Sequence, residues 1–151
     1  MTPQRRPDTH TLVAWTVATA LAASPALAQD TRQIATLKPP AQEALRKEML
    51  DNLIALNTIV TLLATNQVKQ AGELAEKELG NSATGKHAGQ PFDARPGPQM
   101  PREMHQLGMS GHAAASAFAR AAASGDRDKA LAELPALVGA CVACHASYRI
   151  R

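Results

Sequence analysis

The chain has 151 residues, of which 45% are hydrophobic and only 3% aromatic, and it contains two cysteines. It carries 16 Lys and Arg against 13 Asp and Glu, and removal of residues 1–28 would leave a net charge of +2. A charge this small does not favour nucleic acid or an anionic membrane as a partner. The length suits one small domain after a short terminal segment.

The first 28 residues predict an export signal. Arg5 and Arg6 form a positive start, an apolar run follows over residues 11–23, and an Ala-Leu-Ala cleavage site ends at Ala28. The run is too short to span a bilayer and no second one follows. We therefore expect cleavage before Gln29 and a periplasmic mature chain without a membrane span. An uncleaved anchor is the alternative.

Two helices are predicted in the first half of the mature chain. After a short polar lead, Pro39 opens the first helix, because proline is tolerated at a helix start. Thr65 and Asn66 are candidate caps for a shorter second helix, which Gly80 closes. Residues 81–99 are rich in Gly, Pro and polar types and predict a long loop. The apolar face of the first helix consists of Leu45, Met49, Leu53, Leu56, Val60 and Leu63.

Two further helices are predicted in the second half. Pro101 opens the third, whose inward face contains Gly108 and Gly111. A glycine inside a helix costs about 1 kcal/mol relative to alanine, so room for a bulky flat group or a close helix crossing would explain the pair. Asp126 caps the fourth helix, which Pro135 either kinks or shortens. One side of that helix carries Ala130, Leu131, Leu134, Val138, Cys141, His145 and Tyr148.

Four helices with short first and third connections predict an all-α fold, an antiparallel up-down-up-down four-helix bundle over residues 29–151. Ligand sites in such bundles lie between facing helices. The aromatic residues of this region are Phe92, Phe118 and Tyr148. A core this thin would gain apolar area from a buried cofactor.

The most specific motif is Cys141-Val142-Ala143-Cys144-His145 near the C-terminal end of the fourth helix. Two thiols three residues apart, followed by an imidazole, supply what a covalently bound haem c needs: two thioether bonds and an iron ligand. The odds of a chance match in so short a chain are about one in a thousand.

Three other uses of the motif remain open. A disulfide at this helical spacing would be strained and would close only a tiny loop. A thioredoxin-like redox pair is expected at a helix start beside a strand, not at the end of a helical pattern. Zinc bound by the two cysteines and His145 would need a fourth ligand, such as His105 or His112.

The chain resembles the class II c-type cytochromes, the group that contains cytochrome c′ and its low-spin relatives. The resemblance rests on the run from Cys141 to Arg149 and extends loosely over residues 37–151 through the helix pattern. It implies a periplasmic monohaem electron-transfer protein, not an enzyme, with one haem c bonded to Cys141 and Cys144. It further implies His145 as the proximal iron ligand, Arg149 as a propionate contact, a periplasmic redox partner protein and frequent homodimers.

The resemblance also implies a source for the sixth iron ligand, the inward face of the first helix, where Met49 lies. A thioether there suits electron transfer, whereas an apolar residue leaves the iron open to nitric oxide or carbon monoxide, so a five-coordinate cytochrome c′ is the alternative. Met49 lies about 14 Å into its helix and His145 about 9 Å from the chain end, within about one helical turn in height. Other residues have more ordinary expected roles: core filling for Met104 and Met109, partial exposure for His105 and His112, and full solvation for His87.

Overall fold

The computed structural model describes residues 29–151, so the predicted export signal lies outside the described residues. Most of the described residues are helical, which confirms the all-α prediction. The four α-helices are α1 (Pro39–Ala64), α2 (Val68–Glu78), α3 (Arg102–Ala122) and α4 (Arg127–Ser147). Three short 3-10 turns lie in the predicted long loop, at Asn81–Ala83, Phe92–Ala94 and Gly97–Gln99.

Two short strands join the segment before α1 to the segment after α4. Strand β1 (Gln33–Ile34) pairs in parallel with β2 (Tyr148–Arg149). The amide of Ala35 extends the pairing by donating to the Arg149 carbonyl at 2.8 Å. Ala35 and Leu37 are buried. The lead that the sequence presents as polar is therefore an ordered element with an apolar side.

A residue in the left-handed region separates α1 from α2. Asn66 has a φ of 59°, and the amide of Gln67 donates to the Leu62 carbonyl at 2.7 Å, which closes the last turn of α1. Asparagine tolerates this conformation better than most residues. The prediction that Thr65 and Asn66 cap α2 is therefore wrong. Gln67 occupies the N-cap position and makes no side-chain capping hydrogen bond.

The residues between α3 and α4 include the helix cap that the sequence predicts. Gly125 takes a φ of 78°, which glycine adopts without strain. Asp126 accepts hydrogen bonds from the amides of Lys129 and Asp128, both at 3.1 Å, and these bonds lower the pKa of its carboxyl group. The N-cap prediction is confirmed. Pro135 lies inside a continuous α4, so the helix starts at Arg127 and not at the proline.

The helices pack mainly in chain order, α1 on α2, α2 on α3 and α3 on α4. Backbone contact between α1 and α4 is slight by comparison. The buried apolar residues accordingly form two separate groups instead of one continuous core. This division decides which parts of the helix faces remain uncovered.

The larger group, called here the large cluster, is centred on Phe118, which is fully buried. It consists of Ile59, Leu63, Val68, Ala71, Ala75, Ala115, Phe118, Ala122, Ala130 and Leu137. The second group, the small cluster, consists of Ala35, Leu37, Ala41, Leu45 and Met104, with Met100, Cys144, Tyr148 and Ile150 packed against it. The start of α1 and the end of α4 therefore meet in the small cluster.

The predicted apolar face of α1 is buried only in part. Leu45 and Leu63 are buried as expected, but Met49, Leu53 and Val60 are 37%, 62% and 47% exposed. The residues that α1 buries are Ala41, Leu45, Ala55, Ile59 and Leu63. The helix thus turns a narrower stripe toward the core than its heptad-like pattern indicates.

A polar contact joins α2 to α3. The hydroxyl group of buried Ser116 donates to Glu76 at 2.5 Å and accepts from the amide of Asn81 at 2.9 Å. Ser82 donates to the other oxygen of Glu76 from both its amide and its hydroxyl group. Hydrogen bonds from Ser116 and then Ser82 hold the pKa of Glu76 below its ordinary value of 4.5. This network fixes the C-terminal end of α2 against α3.

Among residues 29–151, α4 is the helix whose length and composition would allow it to cross a membrane, so the expectation that no second apolar run follows residues 11–23 is wrong. Only 11% of its most apolar window is buried. Signal sequences and the core helices of soluble proteins pass the same test, so this is weak evidence for a membrane span. It does show that the other described elements leave much of the apolar surface of α4 uncovered.

The close helix crossing lies at Gly72 and not at the two glycines of α3. A Cβ on Gly72 would stand 2.8 Å from the Cβ of Ala122 and 3.1 Å from the Ala119 carbonyl oxygen. A Cβ on Gly108 would have no heavy atom within 4 Å, and one on Gly111 would meet the Cβ of Ala140 at an ordinary 3.5 Å. A tight crossing therefore does not explain the two glycines of α3.

We expect Gly72→Ala to destabilise the protein by about 1–3 kcal/mol, because the added methyl group forces α2 away from α3. The matched control is Gly139→Ala, whose Cβ would meet nothing within 4 Å. That change should stabilise by up to about 1 kcal/mol through helix propensity. Urea unfolding of both variants measures the difference. Equal effects would contradict the crossing at Gly72.

Candidate functional site

The motif residues lie on the last turns of α4, on one side of the helix. Cys144 and His145 follow Cys141 by three and four residues, so both lie on the same side of the helix as Cys141. Cys141 and His145 are exposed, and Cys144 is half-buried where it packs against the small cluster. Both cysteines are free thiols. The disulfide alternative therefore has no support in the structure.

The acid–base state of the two thiols argues against the redox-pair alternative. Although the Cys141 residue is exposed as a whole, partial desolvation of the thiol groups raises the pKa of both cysteines, and the charge of Cys141 raises the pKa of Cys144 further. The motif also lies at the C-terminal end of α4, where the helix dipole disfavours a thiolate. Thioredoxin-like cysteines react as thiolates with a lowered pKa. Cys141 and Cys144 have the opposite electrostatic setting.

Among the described residues, the structure does not place His105 or His112 in a zinc site with the motif. Within the described part of the chain, no group of three or more His, Cys, Asp or Glu side chains is arranged to hold a metal ion. His112 is half-buried, and its Nδ1 lies 2.8 Å from the Leu79 carbonyl oxygen and 3.1 Å from that of Gly80. His105 is exposed beside Gly97. His112 thus serves the C-terminal end of α2.

His87 is less exposed to solvent than the sequence indicates. It is half-buried, and its Nε2 lies 3.1 Å from a carboxylate oxygen of Glu48, so the prediction of a solvated His87 is wrong. The Lys86 ammonium lies 3.5 Å from the other oxygen of Glu48. These contacts fasten the long loop to α1 one residue before Met49. The loop therefore helps to fix the part of α1 that carries the predicted distal ligand.

Three helices each carry an exposed residue between the two clusters, and together these positions are called here the uncovered level. Met49 lies one turn after Leu45 of the small cluster and two turns before Leu56, which packs against the large one. Gly108 lies in the same way between Met104 and Ala115, and Cys141 between Leu137 and Cys144. Met49, Gly108 and Cys141 are all exposed. Each of α1, α3 and α4 therefore carries an exposed residue between the residues that it contributes to the two clusters.

The segment of residues 31–37, called here the strap, holds the end of α4 that carries the motif. Besides the β1–β2 pairing, the Arg32 guanidinium group donates to the His145 carbonyl at 3.4 Å. Leu37 and Ala35 of the strap belong to the small cluster against which Cys144 packs. Arg46 of α1 donates to the Arg151 carbonyl beyond β2. Sequence reasoning missed the strap, although the apolar Ala35 and Leu37 on either side of polar Thr36 were a weak signal.

Arg149, the residue expected to contact a propionate, lies in β2 and is half-buried. Its carbonyl accepts the hydrogen bond from Ala35. The strand pairing therefore fixes its backbone four residues after His145.

Comparison with known proteins adds no family: no family model matches the chain, and neither a curated protein nor a solved structure is similar to it. The motif and its surroundings in the fold are therefore the features that bear on function.

We expect Leu37→Ala to destabilise the protein by about 2–4 kcal/mol, because Leu37 is 4% exposed and its loss opens the small cluster beside Cys144. Leu50→Ala is the control, since Leu50 is 58% exposed and its truncation should cost less than about 0.5 kcal/mol. Hydrogen exchange should show faster exchange in the last turn of α4 for Leu37→Ala alone. Unchanged protection there would show that the strap does not support the motif.

Proposed function

We propose that the protein is a class II c-type cytochrome that transfers electrons in the periplasm through one haem c bonded to Cys141 and Cys144. The observation that carries this proposal is the pairing of two free thiols with the uncovered level. A porphyrin is flat and apolar, and the uncovered level has the exposed Met49 side chain on α1, a glycine without a side chain at 108 on α3 and the Cys141 thiol on α4. The bound haem would supply a one-electron redox centre.

Different residues of the chain would have different roles in binding the haem. Cys141 and Cys144 would bind it covalently, and His145, on the same side of α4, would be the proximal iron ligand. Cys144 is anchored by the small cluster, so the attachment point is held by packing as well as by the helix. The glycines of α3 support the same arrangement, because Gly108 leaves space where a side chain would otherwise stand.

We propose that the helices form an up-down-up-down bundle with this site between α1, α3 and α4. Packing in chain order and the meeting of the start of α1 with the end of α4 in the small cluster support that topology. Slight backbone contact between α1 and α4 leaves room between them for a bulky group. Export by residues 1–28 fits the same proposal, because exported thiols that carry no haem would tend to oxidise.

Met49 is proposed as the sixth iron ligand. It lies at the same level as Cys141 on the helix that meets the end of α4 in the small cluster, and it belongs to neither cluster. A five-coordinate, gas-binding protein remains the second candidate for one specific reason. Met49 is 37% exposed and belongs to neither cluster, so the packing of the clusters does not hold its sulfur in one position.

A homodimer and a periplasmic redox partner belong to the same proposal. The side of α1 away from the clusters exposes Leu50 and Ile54, at 58% and 57%. Exposed apolar side chains on one helix side are a common feature of protein interfaces. This supports the dimer that the resemblance implies.

The first test is whether haem is present and covalent. The purified protein should be red, with a Soret band that acid–acetone extraction does not remove. Cys141→Ala combined with Cys144→Ala should give a colourless, protease-sensitive chain, because the thin core loses the apolar contacts of the porphyrin. A colourless wild type with bound zinc would refute the haem proposal, and a double variant that unfolds as cooperatively as wild type would refute the argument from the thin core.

The second test concerns Met49. Met49→Leu preserves volume and removes the sulfur, so the ferric protein should become high-spin and the ferrous protein should bind carbon monoxide readily. The matched control is Met109→Leu on α3, which is 44% exposed and should leave the spectrum unchanged. A wild type that is already high-spin would favour the gas-binding candidate. A low-spin Met49→Leu protein would assign the sixth position to another residue.

A further inference from the structure

A carboxylate interrupts the buried side of α1. Glu48 lies three residues after Leu45 and seven before Ala55, so it falls on the side of the helix that buries those two residues. The Glu48 side chain is 15% exposed. Of the residues of α1 between Leu45 and Ala55, Glu48 and Asn52 alone are not exposed. On α1, polar residues therefore lie between the small cluster and the large cluster.

The long loop supplies two partners for this carboxylate, and the three side chains are called here the clasp: Glu48, Lys86 and His87. The Lys86 ammonium group lies 3.5 Å from one oxygen of Glu48, and His87 Nε2 lies 3.1 Å from the other. The side chains of Lys86 and His87 are 34% and 27% exposed. In the described chain, the polar contacts of Glu48 thus run to the loop.

The loop is also fastened at the start of α1, so the clasp is not needed merely to attach it. The Lys38 ammonium group lies 2.6 Å from Asp93, and the Lys38 amide donates to the Gln99 side chain at 2.9 Å. The amide group of Gln99 donates in turn to three carbonyls of the same loop. Glu48 lies about 15 Å further along α1 than Lys38, at 1.5 Å per residue. The clasp is therefore a second attachment, at the height of Met49.

Stability alone does not account for a carboxylate at position 48. A buried ion pair can often be replaced by apolar groups of similar volume at no cost in stability, because charges lose their hydration on burial. Glu48 has one contact at 3.1 Å and one at 3.5 Å, whereas Glu76 accepts three hydrogen bonds. An apolar residue at 48 would also continue the buried side of α1. A polar group at such a position points to a role in what it holds in place.

We propose that Glu48 is a positioning residue for the sixth iron ligand. This inference rests on the proposed function, because it requires haem at the motif and Met49 as its ligand. Successive residues of an α-helix lie about 100° apart around the axis, so a contact that fixes the rotation of α1 at Glu48 also fixes the direction of Met49. Apolar side chains of the same stretch, such as Met49, Leu50 and Leu53, are exposed and provide no such restraint. The clasp therefore sets the direction in which the Met49 side chain leaves α1.

The experiment breaks the clasp from each side in the haem-loaded protein. Glu48→Leu removes the carboxylate from α1. Lys86→Met with His87→Leu removes its partners and leaves the sequence around Met49 unchanged. The matched control is Asp93→Leu, which also removes one acidic group and one contact between the loop and α1, but at the start of the helix.

In Glu48→Leu, the midpoint of urea unfolding should stay close to that of the wild type, since an apolar side chain replaces a buried charge. The ferric protein should nevertheless gain a high-spin fraction. The ferrous protein should bind carbon monoxide at least about threefold faster, because Met49 leaves the iron open for more of the time. The loop-side double variant should show the same spectral change. Asp93→Leu should change neither the spectrum nor the rate.

Three spectral outcomes would overturn the positioning role. The first is an unchanged spectrum in both clasp variants. The second is a change in Glu48→Leu alone, which would assign the effect to the residue beside Met49 and not to its contact with the loop. The third is an equal change in Asp93→Leu, which would assign the effect to general loosening of the loop.

Hydrogen exchange gives a result that does not depend on haem. Amides of residues 47–53 and 85–90 should exchange faster in both clasp variants than in the wild type, and Asp93→Leu should leave them unchanged. A wild type without haem would refute the proposed function, and the exchange rates would still decide whether the clasp fixes the turn of Met49. Unchanged exchange in Glu48→Leu, or a wild type that is already high-spin, would overturn the inference.

Discussion

Apolar packing between the two ends of the described chain is the interaction on which the candidate site depends. Leu37 of the strap and Leu45 of α1 form the small cluster against which Cys144 and Tyr148 pack. Apart from this cluster, α4 packs mainly against α3. The β1–β2 pairing and the contacts of Arg32 and Arg46 act on the same few residues. Residues from both ends of the described chain therefore hold the motif in place.

The separation of the two clusters follows from composition as well as topology. Alanines form much of the large cluster, and Phe118 is its one large aromatic side chain. Small side chains bury little apolar area, so they cannot fill the space between four helices along their whole length. The uncovered level lies between the two clusters. A covalently bound porphyrin at that level would join the two clusters into one core, which links the proposed function to stability.

The polar contacts around the site have two different uses. Glu48 with Lys86 and His87 fastens the long loop, and His112 closes the end of α2, so these groups stabilise the frame. Arg32 and Arg46 bond to main-chain oxygens at the end of α4 and beyond it, so these groups fix the segment that carries the motif.

The sequence by itself determined the helical class, the start of α4 at Asp126 and Gly125, and the motif residues, because capping chemistry and covalent attachment depend on residue type at fixed local spacing. It indicated four helices within a few residues of their bounds, but misassigned Asn66, whose left-handed backbone ends α1. Only the tertiary structure decided which part of the α1 face is buried, where the helices cross closely, and that His87 bonds to Glu48. It also brought Arg32 and Arg46 to the motif. Those features depend on contacts between residues far apart in the chain, and helical periodicity records only which residues share a side of one helix, not what lies opposite them.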